Sequence, residues 1–171
     1  MHASEISQLP WHHLVVFALD EQLYALPLPV VERVVRVVDV TPLPSAPQIV
    51  HGVINVQGQI FPVVNIRRRF RFPERELRLS DQLLIAQTAK RTVVLLVDEV
   101  HGVIECSPQD MVTAERILPT MEYIAGVMKR ENGLVLIHDL GTFLSLDEEH
   151  ALDAALSPRT GDRVQGSETA Q

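Results

Sequence analysis

The sequence contains few aromatic residues, one cysteine and no long hydrophobic run. Aromatic residues make up 5% of the 171 residues and hydrophobic residues 46%, so a folded core has to be mainly aliphatic. Cys106 stands alone, which excludes an internal disulfide and suits a reducing compartment. The longest apolar runs reach about half the length of a membrane-spanning helix, and residues 1–10 lack the basic start of a signal peptide. These shortages predict a soluble, cytoplasmic protein without direct membrane insertion.

An excess of basic charge is also missing. The chain has 15 lysines and arginines against 22 acidic residues, a net charge of −7. From Ser145 onward, six acidic residues stand against Arg159 and Arg163, which accounts for −4 and leaves −3 on the preceding part. A nearly neutral main part disfavours general nucleic-acid binding, which usually requires a clear basic excess.

Enzyme signatures are absent as well. The sequence has no GxSxG, Walker, GxGxxG or HExxH motif. Cys106 lies beside Glu105 with no activating base indicated nearby, so we interpret it as a small, partly buried hydrophobic residue. His138-Asp139 is an isolated pair, and no spacing supplies three convergent metal ligands, so we expect the histidines to be solvated or hydrogen-bonded. The sequence therefore predicts no catalytic residue, no cofactor and no metal site.

What the sequence does contain is a series of short, β-branched runs separated by turn residues. They predict about ten strands, which is typical of a sandwich or barrel. The predicted strands are 14–19, 23–26, 30–38, 49–56, 60–66, 82–87, 92–97, 100–104, 123–128 and 134–137. A helical turn is expected at 108–111, a short helix at 139–146 with Asp139 as its cap, and an amphipathic helix at 147–156. The tetrapeptide at 51–54, His-Gly-Val-Ile, recurs at 101–104, which would suit two similar barrels although one such match carries little weight.

The segment 67–78 holds six of the fifteen basic residues. As a functional site it would contact an acidic partner or a phosphate backbone. As a structural feature it would be a solvated surface loop, with Phe70 and Phe72 as anchors in the core. Both interpretations remain open, and the sequence favours the structural one.

Several ordered motifs resemble the CheW family of chemotaxis coupling proteins over about residues 14–156. They are Val30-Val31-Glu32, Leu43-Pro44-Ser45-Ala46-Pro47, the run from Gly52 to Gly58, Phe61-Pro62-Val63-Val64, Val97-Asp98 before Val100, Glu122–Gly126, Leu134–Leu144 and the tail starting at Asp147. The resemblance implies an all-β fold of two five-stranded SH3-like β-barrel subdomains that share a core, with a short C-terminal helix. On this basis we expect an N-terminal segment at 1–12, a CheW-like domain at 13–146 with subdomains at about 13–79 and 80–146, a helix at 147–156 and a disordered tail at 157–171.

The same resemblance implies a non-catalytic adaptor that couples chemoreceptors (methyl-accepting chemotaxis proteins) to the regulatory domain of a CheA-type histidine kinase. Such an adaptor is cytoplasmic and is recruited to membrane-associated receptor arrays. The alternative function is a small β-barrel nucleic-acid-binding protein that uses Arg67–Arg78.

The resemblance also carries over a set of receptor-binding positions. They are Val30, Glu32, Gly52, Asn55, Gln57 and Gly58. Family members usually have arginine where this chain has Gln57, so the pair with Glu32 cannot be ionic here, although Gln57 is still able to donate a hydrogen bond. Kinase-binding residues are left unassigned because the segment 111–120 matches the family poorly.

Overall fold

The computed structural model describes residues 12–113, 123–131 and 133–157, and within them the predicted all-β fold is confirmed. The expected N-terminal segment at 1–12 and disordered tail at 157–171 lie outside the described residues, apart from residues 12 and 157. The strands are β1 His13–Leu19, β2 Gln22–Pro27, β3 Val31–Arg36, β4 Val50–Val56, β5 Gln59–Val64, β6 Gln82–Gln87, β7 Thr92–Val97, β8 Glu99–Glu105, β9 Met111–Thr113, β10 Ile124–Arg130 and β11 Gly133–His138. The α-helices are α1 Ile66–Arg69 and α2 Leu146–Leu156, and 3-10 turns occupy Leu28–Val30, Pro108–Asp110 and Leu140–Thr142.

The strands form two sheets: the first two and the last four strands along the chain belong to one sheet, and the five strands between them form the other. The six-stranded sheet has the order β8-β1-β2-β11-β10-β9, and the five-stranded sheet has the order β3-β6-β7-β5-β4. The boundary between the sheets does not coincide with the expected subdomain division at about residues 79 and 80, because β1 pairs with β8 and β2 pairs with β11. The chain changes sheets at the 3-10 turn of Leu28–Val30 and again at Asp98, the single residue between β7 and β8. The additional strand is β9, where no strand is predicted from the sequence.

Three apolar clusters hold the sheets. The largest lies between the sheets and takes buried side chains from both, for example Leu26 and Leu84. A second cluster joins buried side chains of the six-stranded sheet. The third fills the five-stranded sheet and joins Val35 of β3 to Ile54 of β4, the two outer strands, so this sheet curls around its own core. The aliphatic composition therefore supplies one shared and two separate cores.

The repeated tetrapeptide occupies equivalent places in the two sheets. In β4, Val50 and Gly52 pair with consecutive residues of β5, so His51 is the extra residue of a bulge. In β8, Val100 and Gly102 pair with consecutive residues of β1, so His101 is an extra residue in the same way. Both bulges lie on outer strands, where bulges commonly redirect an edge.

The C-terminal helix is close to its predicted bounds. Ser145 and Glu148 form a capping box at the start of α2, and Leu152 is buried in the shared core. Asp139 caps a helical turn as predicted, accepting a hydrogen bond from the amide of Gly141, but this 3-10 turn ends at Thr142 instead of continuing to residue 146.

Candidate functional site

The six predicted receptor-binding residues all belong to the five-stranded sheet or its connections. Val30 and Glu32 lie at the start of β3, and the other four lie on β4 and its turn to β5. β3 and β4 are the outer strands of the sheet, but the chain leaving β3 returns to β4. There, the amides and carbonyls of Thr41 and Val53 exchange hydrogen bonds of 2.9 and 2.8 Å. The structure therefore places these residues on one curled sheet, along its two edges.

Gly52 is required by the close approach of that connection. A Cβ atom at Gly52 would lie 2.3 Å from the carbonyl oxygen of Thr41 and 2.8 Å from a side-chain carbon of Val40. Gly52 is itself buried, so the clash cannot be relieved towards solvent. Its role is to let the chain after β3 pack against β4.

We expect Gly52→Ala to break the hydrogen bonds between Thr41 and Val53 and to expose their amides to exchange. Gly58→Ala is the control, because a Cβ atom there meets nothing within 4 Å and only the backbone strain at φ +84° remains. Amide hydrogen exchange by NMR measures both effects. Equal protection of the Val53 amide in the two variants would show that close approach is not the reason for glycine at residue 52.

The turn between β4 and β5 is built by its own side chains. The side-chain oxygen of Asn55 accepts a 2.9 Å hydrogen bond from the amide of Gly58. Gln57 and Gly58 both have positive φ, 51° and 84°, as a tight hairpin turn of type I′ requires. Asn55 therefore shapes the turn, while Gln57 presents an exposed side chain.

The expected contact between Glu32 and Gln57 is absent. Both side chains are exposed and described, and no hydrogen bond joins them. Within the described part of the chain, the carboxylate of Glu32 also forms no ion pair. Glu32 lies on β3 and Gln57 in the turn between β4 and β5, and each side chain is available to a partner.

Most arginines of the segment 67–78 form ion pairs with carboxylates of the chain itself, which corrects the interpretation of this segment as a solvated loop. Arg69 binds Glu148 of α2 with two 2.6 Å hydrogen bonds, and Arg68 binds Glu74. Phe70 and Phe72 pack against the shared core, as predicted. Among the six arginines, only Arg71 and Arg78 have guanidinium groups without a carboxylate partner within the described residues. Little of the segment is left for a phosphate backbone.

Two of these arginines join three aspartates in a cluster that we call the charged node: Asp20, Arg67, Arg75, Asp81 and Asp98. Arg67 donates to Asp20 at 3.0 and 3.1 Å and to Asp98 at 2.8 Å. Arg75 donates to Asp81 at 2.7 Å and to Asp98 at 2.6 Å. Burial by itself would raise the pKa of Asp81 and Asp98, but these guanidinium groups lower both below the ordinary value. The node is thus a mostly buried, charged network.

The surroundings of His138 also differ from the prediction. Its side chain is 1% exposed, and neither ring nitrogen has a hydrogen-bond partner. Burial lowers the pKa of His138 to about 3, so the imidazole is neutral at physiological pH. The rings around it are Phe17, Tyr24, Phe70 and Phe143, with centroids 4.4–5.9 Å away. The expected solvated or hydrogen-bonded histidine is therefore wrong at this position.

A groove of about 910 Å³ opens on the six-stranded sheet. Its apolar floor includes Leu23, Met128 and Val135, and its rim carries both acidic and basic side chains. None of the predicted receptor-binding residues lines it. Across the described ranges, no group of three or more potential ligands is placed to hold a metal ion, and no helix is long and apolar enough to cross a membrane.

Comparisons with known proteins agree on one family. The family model for the CheW-like domain matches residues 13–148. The chemotaxis protein CheW of Treponema pallidum is 30% identical over 141 residues, covering 79% of this chain and 83% of the relative. CheW of Rhizobium meliloti is 27% identical over 140 residues, covering 81% and 90%. The crystal structure of the scaffolding protein TtCheW from Thermoanaerobacter tengcongensis matches with a TM-score of 0.72 and 27% identity, covering 80% of this chain and 94% of that one.

Proposed function

The chain belongs to the CheW-like domain family, and from that premise we propose that it is a non-catalytic adaptor between chemoreceptors and a CheA-type histidine kinase. The observation that carries the proposal is the match of the fold, over 80% of this chain, to a scaffolding protein, combined with relatives named as chemotaxis CheW proteins. The adaptor acts in the cytoplasm and is recruited to membrane-associated receptor arrays.

We assign the receptor contact to the edge positions of the five-stranded sheet. Val30 is half-buried against the shared core, so it offers an apolar contact on a rigid base. Glu32 on β3 and Gln57 in the turn between β4 and β5 supply exposed polar groups, and neither side chain is engaged in a hydrogen bond within the described residues. A receptor helix with an apolar stripe and a basic or amide side chain fits this surface.

Gln57, which stands where family members usually have arginine, determines the chemistry of that contact. Because Glu32 is not neutralised within the chain, its carboxylate is available to a cation on the receptor. A family member with arginine at this place can neutralise the glutamate internally instead. We therefore assign this chain to receptors that carry a lysine or arginine opposite Glu32.

The nucleic-acid alternative is disfavoured by the ion pairs of its supposed binding segment. Arg67, Arg68, Arg69 and Arg75 are all bonded to carboxylates of the chain itself. Counterion release requires arginines that are free to neutralise phosphates.

We expect Glu32→Lys to weaken binding to a receptor signalling fragment by about tenfold or more, because it sets a cation against the receptor's cation. Glu99→Lys is the matched control, since Glu99 is an exposed acidic residue on β8 of the other sheet. Isothermal titration calorimetry with one receptor fragment compares both variants with the unaltered chain. Equal losses of affinity in the two variants would contradict the assigned surface, and no binding by the unaltered chain would contradict the proposed function.

A further inference from the structure

The charged node lies at the place where the chain passes between the two sheets. Asp98 is the single residue between β7 of the five-stranded sheet and β8 of the six-stranded sheet. Asp20 lies in the β1–β2 turn of the six-stranded sheet, whereas Arg67 belongs to α1, directly after β5. Arg75 and Asp81 lie on the connection into β6. Among the described ion pairs, those that Arg67 and Arg75 form with Asp20 and Asp98 are the ones that connect the two sheets without involving α2.

Asp98 is the hub of the node. Its carboxylate accepts hydrogen bonds from Arg67, from Arg75 and, at 2.7 Å, from the backbone amide of Asp20. Apolar packing between sheets has little directional preference, whereas bidentate guanidinium–carboxylate pairs hold one geometry. The shared core therefore keeps the sheets together, and the node selects one angle between them.

The node also holds the elements that carry the receptor surface. The amide of Val37, just after β3, donates to the carbonyl of Asp81 at 3.2 Å. The amide of Asn65 donates to the carbonyl of Ile49 at 2.7 Å, next to the start of β4, and Asn65 caps the helix that carries Arg67. A change at the node thus reaches both edges of the five-stranded sheet through hydrogen-bonded backbone.

We propose that the charged node fixes the relative orientation of the two sheets and thereby makes the binding of receptor and kinase interdependent. The second half of this statement rests on the proposed function, while the first half is a property of the chain alone. A receptor that presses on the edges of the five-stranded sheet shifts α1 and the connection into β6. The node transmits that shift to the β1–β2 turn, so the six-stranded sheet rotates together with the five-stranded sheet.

The orientation is measured with spin labels on the two sheets. Ile60 on β5 and Val103 on β8 are 52% and 54% exposed, and both accept a cysteine in a background where Cys106 is replaced by alanine. We expect one narrow distance distribution in this parent and a broadened or displaced one after Arg67→Met. The matched control is Arg91→Met, because Arg91 is about as buried but pairs with acidic residues of α2. An unchanged distribution in a folded Arg67→Met variant would overturn the proposal.

Asp20→Asn is a milder second variant in case Arg67→Met does not fold. The Asp20 side chain is 46% exposed, and its replacement by asparagine removes one of the two charged partners of Arg67. Arg67 keeps its ion pair with Asp98, so no buried charge is left unpaired. We expect it to displace the label distances in the same direction but less far. No displacement with Asp20→Asn would likewise count against the node as the determinant of orientation.

Interdependence is measured as the ratio of kinase-fragment affinities with and without a saturating receptor fragment. We expect a ratio of at least threefold for the unaltered chain and a ratio near one for Asp20→Asn, with each partner still binding alone. An undiminished ratio would refute the coupling role. If the unaltered chain binds neither partner, the proposed function has failed, and the spin-label experiment still decides whether the node sets the orientation.

Discussion

Replacing Arg67 with methionine is expected to lower the free energy of unfolding by about 3 kcal/mol, the range found when one member of a buried ion pair is removed. The Arg67 side chain is 10% exposed and pairs with two aspartates, so its loss leaves Asp20 without a guanidinium partner and Asp98 with Arg75 alone. Methionine keeps much of the aliphatic stem, which limits the loss of packing. Urea denaturation measures the change without screening the charges.

The neighbouring Arg68 provides the control for this prediction. Arg68 pairs with Glu74, but the two side chains are 44% and 52% exposed, so solvent screens this surface pair and it contributes little to stability. Arg68→Met should therefore have a much smaller effect than Arg67→Met. If the two variants were equally stable, the charged node would not be an important element of the fold.

The second large effect concerns pH and His138. The folded chain holds this imidazole neutral down to a pKa of about 3, whereas the unfolded chain protonates it near the ordinary value of 6.5. Below pH 6.5 the unfolded state binds the extra proton, so the free energy of unfolding falls by about 1.4 kcal/mol per pH unit. From pH 7 to pH 5 we expect a loss of about 2 kcal/mol that His138→Phe abolishes.

Between pH 5 and pH 7, the effect of His138 on stability is distinguishable from that of the carboxylates. The pKa values of Asp81, Asp98 and Glu148 are lowered by their arginine and backbone partners despite burial, so the stability they contribute is lost only at more acidic pH, near and below about 4. All other histidines are retained in the variant, and their contributions cancel in the comparison. His138→Leu repeats the test with a smaller side chain. A persistent slope in both variants would assign the pH dependence to other groups.

Local patterns in the sequence were sufficient for most of the strands. β6 and β7 have the predicted bounds, because each is an apolar run ended by polar turn residues. The three-residue strand β9 was missed, since no periodicity develops over so short a stretch. The division of the sheets was also missed, because a strand's pattern indicates which face is buried but not which strand lies beside it.

The candidate site was likewise only partly predictable from the sequence. Family motifs located Gly52, and the structure adds the physical reason, the approach of Thr41. The partners of Arg67 lie 47 and 31 residues away, so the local composition indicated only a basic loop. The burial of His138 did have a sequence signal: it follows Leu136 by two residues in a strand, which sets it on the same face, towards the shared core.

The most direct test of the adaptor function is co-sedimentation of a CheA-type kinase with membranes that carry a chemoreceptor signalling domain. We predict that the kinase sediments with these membranes when the full chain is added, and that it stays in the supernatant when the chain is omitted or carries Glu32→Lys. Equal amounts of sedimented kinase with and without the chain would contradict its function as an adaptor.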